Sequence, residues 1–261
     1  MLIKLTILGT GSSNPVLERN PTSHHLQIGS NGILIDCGEG TQSQLLKYKI
    51  KIAKINYIFI SHLHGDHYFG LIGLLSTMNM LGRKSDLHLF GPQDLIDILN
   101  LQLKASFTNL DYNLIFTATT DSYTQYQLEN TPLQISTFPL QHRIPCTGFL
   151  LGLKNINDYS FVPKYAFCSD TIYDESLIEY ISGVEKLYHE STFLDILENR
   201  ARDTFHSTAS QAGQIAQLAN VGQLLLGHFS SRYSKADQHL LEAKSKFANT
   251  VTLTEGDVFE F

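Results

Sequence analysis

Three histidines and an aspartate fall within six consecutive positions of this 261-residue chain, in Ser61-His62-Leu63-His64-Gly65-Asp66-His67. Neutral imidazole is the commonest protein ligand for zinc, and a carboxylate oxygen is a good companion donor. In extended backbone, side chains two residues apart share a face, so His62 and His64 can converge on one ion. Gly65 then lets the chain turn, and Asp66 and His67 can address a second ion beside the first. The competing reading is a solvated loop that is merely rich in histidine. Four donors at this density, directly after an apolar run, count against it.

That run, Ile55-Asn56-Tyr57-Ile58-Phe59-Ile60, is short, β-branched and aromatic, and reads as a buried strand. Other donors follow the same habit. Strands expected over Leu133–Phe138, Lys164–Cys168 and Gln223–Leu226 lead into His142, Asp170 and His228. Further strands are expected over Leu2–Leu8, His24–Ile28, Ile33–Asp36, Leu87–Phe90, Asn113–Thr117, Gly148–Leu153, Glu185–Tyr188 and Val251–Leu253. Asn31-Gly32 is a strong hairpin signal between two of them. Helices are expected up to Lys47, over Leu71–Leu81, Leu95–Leu103 and Glu175–Ile181, from Ser207 as N-cap to Ala219, and over Ser234–Phe247. Gly9-Thr10-Gly11-Ser12-Ser13-Asn14-Pro15 reads as a tight turn, since it lacks the lysine of a phosphate loop and the third glycine of a dinucleotide fingerprint. Strands come in runs between helices without the beat of a βαβ barrel, which points to one α+β domain over residues 1–261.

Hydrophobic residues make up 43% and charged residues 17%, as in an ordinary soluble globular protein. The first residues are too short and too alternating for a signal peptide, and no apolar run reaches membrane length. Cys37, Cys146 and Cys168 are an odd number without paired spacing and read as small buried hydrophobes in a reducing, cytoplasmic compartment. With 19 basic and 25 acidic residues the net charge is −6, which counts against binding long nucleic acid mainly by phosphate neutralisation. A local centre escapes that argument: two Zn²⁺ ions, two carboxylates and a hydroxide sum to about +1. Lys47, Lys49, Lys51 and Lys54 form the densest basic patch, by default a solvated face and alternatively one that meets substrate.

The His-x-His-x-Asp-His stretch, with later single donors at strand ends, resembles the metallo-β-lactamase superfamily. The likeness extends to the ribonuclease Z family through Leu8-Gly9-Thr10-Gly11, Arg19-Asn20, Asp36 to Gln42, Ser61 to Gly73, His142-Arg143 and Ser169-Asp170-Thr171. It continues through His189-Glu190-Ser191-Thr192-Phe193, His206-Ser207-Thr208-Ala209 and His228 to Tyr233. The resemblance implies a four-layer αβ/βα sandwich of two mixed sheets with outer helices, holding two zinc ions. It implies His62, His64 and His142 on one ion, Asp66, His67 and His228 on the other, and Asp170 bridging them. The implied reaction is hydrolysis of a phosphodiester by a hydroxide held between the metals, removing the 3′ trailer of precursor tRNA. Asp66 would orient the hydroxide, His206 would give a proton to the leaving 3′-oxygen, and Glu190 would position His206. Without the resemblance, His206 reads equally as a helix-start histidine and Glu190 as a surface carboxylate. His24, His25, His88, His189 and His239 read as ordinary strand or helix positions. Packing and phosphate contact are equal readings for Arg232 and Tyr233. The resemblance also implies a cytoplasmic homodimer with an RNA substrate, and neither DNA nor a membrane as partner. Manganese is the alternative metal.

One departure stands out. Many members of the family carry a long insertion that forms an arm gripping the tRNA elbow, whereas here only Leu153 to Lys164 separates the flanking strands. That segment holds two lysines and no glycine-rich stem, so the arm is absent or reduced to a short loop. A small or cyclic phosphodiester is therefore the alternative substrate class. A redox role is disfavoured because di-iron relatives carry a glutamate where His64 stands, together with a flavin domain. A relic scaffold is disfavoured by the full ligand set, and a β-lactamase or thioester hydrolase by the Glu190 and His206 segments.

Overall fold

The computed structural model describes residues 2–14, 16–17, 19–120, 122–129, 131–154 and 160–261. It contains two compact units, one running to Thr119 and taking in Thr254–Phe261, the other spanning Thr120–Leu253.

The first unit is built on a seven-stranded sheet in the order Val258–Glu260, Ile3–Gly9, Ser23–Ile28, Asn31–Ile35, Ile55–Phe59, Leu87–Gly91 and Leu114–Ala118. The first four pair antiparallel and the rest join in parallel. Parallel neighbours need crossovers, and these contain helices Thr41–Lys47, Leu71–Met80 and Asp94–Ala105. Leu71, Leu74 and Leu75, three and four residues apart, lie on one helical face and pack with Leu95 and Leu99 into the cluster holding Leu34, Ile58 and Leu89 of the sheet. Because the parallel neighbours Asn31–Ile35 and Ile55–Phe59 finish at the same edge, Asp36 and Ser61 come to lie side by side just beyond it.

The second unit has its own seven-stranded sheet, in the order Thr250–Thr252, Gln223–Gly227, Lys186–Glu190, Phe161–Cys168, Cys146–Lys154, Leu133–Leu140 and Thr124–Gln127. The first four are parallel and the last four antiparallel to their neighbours. Ala209, Ala212, Ile215 and Ala216 of helix Ala209–Leu218 pack on Leu187, Leu224 and Leu226. The carboxyl ends of Leu133–Leu140, Phe161–Cys168, Lys186–Glu190 and Gln223–Gly227 share one edge, and His142, Asp170, Glu190 and His228 all sit there.

The structure departs from expectation in several places. Thr208, not Ser207, caps helix Ala209–Leu218: its hydroxyl accepts from the Gln211 amide while the Gln211 side chain accepts from the Thr208 amide. Ser207 instead donates to the Thr171 carbonyl at 2.8 Å. The last helix is shorter than expected, Asp237–Lys244, and Glu175–Ile181 divides into a 3₁₀ turn and one α-turn. Strands Thr124–Gln127 and Val258–Glu260 and helix Glu198–Asp203 carry little apolar periodicity and went unpredicted. Both strands flanking the expected short loop run further than predicted, pairing Lys154 with Phe161, so only residues 155–160 join them. Residues 155–159 of that loop, like Pro15 of the first glycine turn, lie outside the described residues. All three cysteines are buried free thiols. Among the described residues, no helix is long and apolar enough to cross a membrane.

Candidate metal centre and acid–base pair

Within the first unit the chain leaves strand Ile55–Phe59 and crosses His62 and His64 before turning into the short helix Gly65–Tyr68. His64 is still extended, at φ −71° and ψ 141°. The His62 Nε2 and His64 Nδ1 atoms face each other at 3.1 Å, and the His62 and His67 rings lie 4.1 Å apart between centroids. Asp66 Oδ2 is 3.5 Å from His67 Nε2 and accepts from the Ser13 amide at 2.7 Å.

Asp36 holds this arrangement, a role that sequence reading did not give it. Its carboxylate accepts from the Ser61 amide at 2.7 Å and the Ser61 hydroxyl at 2.9 Å, and meets His67 Nδ1 at 2.7 Å. Burial raises the Asp36 carboxyl, against the opposing pull of His67 and Ser61. The signal available was its place at the end of an apolar strand, inside Asp36-Cys37-Gly38. Gly38 is also fixed by space, since a Cβ there would lie 2.3 Å from the Asp66 carbonyl oxygen.

Within the second unit, three consecutive residues tie three strand ends together. The Phe205 carbonyl accepts from His142 Nδ1 at 2.8 Å, His206 Nδ1 meets Glu190 Oε1 at 2.7 Å, and Ser207 donates to Thr171. Asp170 lies among imidazoles, with Oδ1 at 3.1 Å from His228 Nε2 and Oδ2 at 3.7 Å from His142 Nε2 and 3.9 Å from His206 Nδ1. One donor atom from each of Asp170, His206 and His228 falls within 4.8 Å of the others. Phe205 and His228 adopt left-handed φ of 57°, as Asp36 does at 56°. Such backbone costs on the order of 1–3 kcal/mol per non-glycine residue, and clusters where side-chain aim matters.

The Glu190–His206 pair is buried. Burial pulls His206 down, but the Glu190 charge and hydrogen bond outweigh it and lift the imidazole to about 9. Burial would likewise raise Glu190, yet His206, with help from His228, holds its carboxyl below the ordinary value. The pair is therefore an ion pair at neutral pH, with the His206 proton on offer. His142 is shifted the other way: burial lowers it against the pull of Asp170 and the Phe205 carbonyl, which favours the neutral form that binds metals.

The donor atoms fit a metal. His62 Nδ1 contacts Ser61 Oγ at 3.0 Å, His67 Nδ1 meets Asp36, His142 Nδ1 meets the Phe205 carbonyl, and His228 Nδ1 meets Thr192 Oγ1 at 2.8 Å. Each ring is thus oriented through Nδ1 and presents Nε2, the usual arrangement of metal-binding histidines. His24 and His25 stand in strand Ser23–Ile28, His88 in Leu87–Gly91, His189 in Lys186–Glu190 and His239 in helix Asp237–Lys244.

Thr192 was also given no role from the sequence. Its hydroxyl donates to Glu190 Oε2 at 2.6 Å and takes the His228 Nδ1 hydrogen, so one side chain orients both the His228 ring and the carboxylate paired with His206. Thr192→Val keeps the shape and deletes both bonds. Metal affinity is expected to fall about 10–100-fold, read by competition with a chromogenic chelator, and Thr192→Ser is expected to restore it. Unchanged affinity in the valine variant would remove Thr192 from the site.

Comparison with known proteins places these features. The family model described as "Anti-Pycsar protein Apyc1" matches residues 3–248. Ribonuclease Z of Bacteroides fragilis (strain YCH46) is 39% identical, with 97% of each chain covered. That alignment spans 294 positions, more than the chain's 261 residues, so the relative carries residues with no counterpart here. The crystal structure of human tRNase Z, short form, superposes with a TM-score of 0.83 at 27% identity over 98% of both chains. The metallo-β-lactamase fold protein YhfI of Bacillus subtilis superposes with a TM-score of 0.80 at 23% identity over the full length of both.

Proposed function

The chain belongs to the ribonuclease Z family and has the metallo-β-lactamase fold, and on that premise we propose that it is a metal-dependent endoribonuclease that removes the 3′ trailer of precursor tRNA. The reading is carried by the buried Glu190–His206 pair beside Asp170, a proton donor held charged at neutral pH next to a metal-binding carboxylate. His62, His64 and His142 would hold one ion and Asp66, His67 and His228 the other, with Asp170 as a carboxylate donor to both. Zinc, two per chain, suits five imidazoles and two carboxylates. When bound, the ions supply an activated water and neutralise charge on the phosphoryl group. Asp66 orients the attacking water, and His206 gives its proton from Nε2 to the departing 3′-oxygen, since Nδ1 is turned to Glu190. The protein acts as a cytoplasmic homodimer.

The test is cleavage of an end-labelled precursor tRNA with a 3′ trailer. A single cut near the discriminator base is expected. Random cleavage, or none from protein that hydrolyses bis(p-nitrophenyl) phosphate, overturns the reading.

The chain belongs as well to the family described by the Apyc1 model. That membership, with strands closed at Lys154–Phe161 where many ribonuclease Z relatives carry an arm, favours one second reading, hydrolysis of a small or cyclic phosphodiester. Small diesters and precursor tRNA offered in competition separate the two.

A further inference from the structure

The first unit carries a cavity of about 420 Å³, none of whose lining residues belongs to the proposed metal centre. Lys4, on strand Ile3–Gly9, and His25, on the adjacent strand Ser23–Ile28, contribute to it, and residues from Tyr48 to Lys54 line it as well. Four lysines, Lys4, Lys49, Lys51 and Lys54, face the cavity, and no acidic side chain lines it. In a chain of net charge −6, such a gathering from separate segments is not the average surface. None of the four forms an ion pair among the described residues.

Two further observations separate this cavity from a solvated basic face. His25 is only 3% exposed, and its Nε2 makes no hydrogen bond among the described residues. Burial and the nearby Lys4 lower its imidazole to about 4, so it is neutral at pH 7 and able to donate one N–H at no cost in charge. The Tyr48 ring also lines the cavity and offers a flat face of the kind on which bases stack. The volume falls in the range of sites for small ligands.

We infer that this cavity is an anion site that takes a backbone phosphate of the RNA substrate, with Lys4, Lys49, Lys51 and Lys54 around the phosphate, His25 in the wall and Tyr48 under a neighbouring base. The inference rests on the ribonuclease reading for the source of the phosphate. It also supplies a grip on RNA at a place distant in sequence from residues 155–160, where an arm would be inserted.

The test is the triple variant Lys49→Gln/Lys51→Gln/Lys54→Gln, whose changes are all exposed. With precursor tRNA at physiological salt, KM is expected to rise at least about tenfold while kcat stays within twofold, and the slope of log KM against log salt to shrink by about one, the worth of a single phosphate. Hydrolysis of bis(p-nitrophenyl) phosphate should not change. Calorimetric titration with inorganic phosphate and with AMP gives the second arm. Unchanged KM and salt slope, with AMP binding lost in the variant, overturns the RNA assignment in favour of a free nucleotide. Unchanged KM with no phosphate or AMP binding to wild type overturns the site altogether. If wild type hydrolyses the small diester but no precursor tRNA, the ribonuclease reading is what fails. AMP binding to wild type and its loss in the variant then support the anion site, and absence of binding overturns it.

Discussion

His206→Ala is expected to lower kcat for precursor tRNA by about 10²–10⁴-fold, the usual worth of a positioned general acid. Hydrolysis of bis(p-nitrophenyl) phosphate should change by only a few fold. The contrast follows from the leaving group: a ribose 3′-oxygen departs as a poor alkoxide unless it is protonated, whereas a nitrophenolate departs unaided. The pH profile carries the same argument. His206 must hold its proton to act, and Glu190 lifts it to about 9. Activity on RNA should therefore persist through neutral pH and fall at alkaline pH, as His206 loses its proton. Glu190→Gln removes the charge that opposes burial, so the alkaline fall should move down to or below the ordinary histidine value of about 6.5. An alkaline limb that stays at the same pH in Glu190→Gln, or an alanine variant equally impaired on both substrates, would falsify the acid role.

The proposed metal donors stood out in the sequence because such chemistry leaves a dense pattern: His62, His64, Asp66 and His67 within six positions, then His142, Asp170 and His228 just past apolar runs. The strands that deliver them were legible because each ends in a short apolar run, Ile58 to Ile60 and Leu224 to Leu226 among them. Glu190 and His206 became visible only through the resemblance, since one glutamate and one histidine sixteen residues apart have no periodic relation. Their closeness comes from a strand end meeting the residues before a helix. Asp36, Ser61 and Thr192 stood in the family-like stretches but were given no role, because a residue that orients a ligand is ordinary in type and acts through tertiary contact. The edge strands Thr124–Gln127 and Val258–Glu260 were missed because they bury little and alternate weakly. The basic cavity was half legible. Lys49, Lys51 and Lys54 are a run, but Lys4 and His25 join them only through the pairing of the first strand with its neighbour.

Asp170→Asn should lower hydrolysis of precursor tRNA and of bis(p-nitrophenyl) phosphate together, by on the order of 10³-fold or more, because metal chemistry supplies several kcal/mol of the barrier reduction. Asp170 is the carboxylate that lies within 4 Å of three imidazoles, with His228 Nε2 at 3.1 Å, His142 Nε2 at 3.7 Å and His206 Nδ1 at 3.9 Å. An amide keeps its shape but removes the negative charge that would bridge two dications, and turns one acceptor into a donor aimed at a metal. Metal content, measured by plasma emission after gel filtration, should fall below the two ions per chain expected of wild type. Stripping wild type with a chelator should reproduce both losses, and zinc or manganese should reverse them. A thermal readout guards against simple misfolding. Metal that binds only the folded protein raises Tm, so the chelator should lower the wild-type Tm and leave the Asp170→Asn value nearly unmoved. The pairing with His206→Ala makes the argument sharp. Loss of the acid should spare the activated diester, and loss of the bridging carboxylate should not. Two variants with the same substrate profile would mean that Asp170 and His206 do one job, and the division into metal centre and proton donor would have to be abandoned.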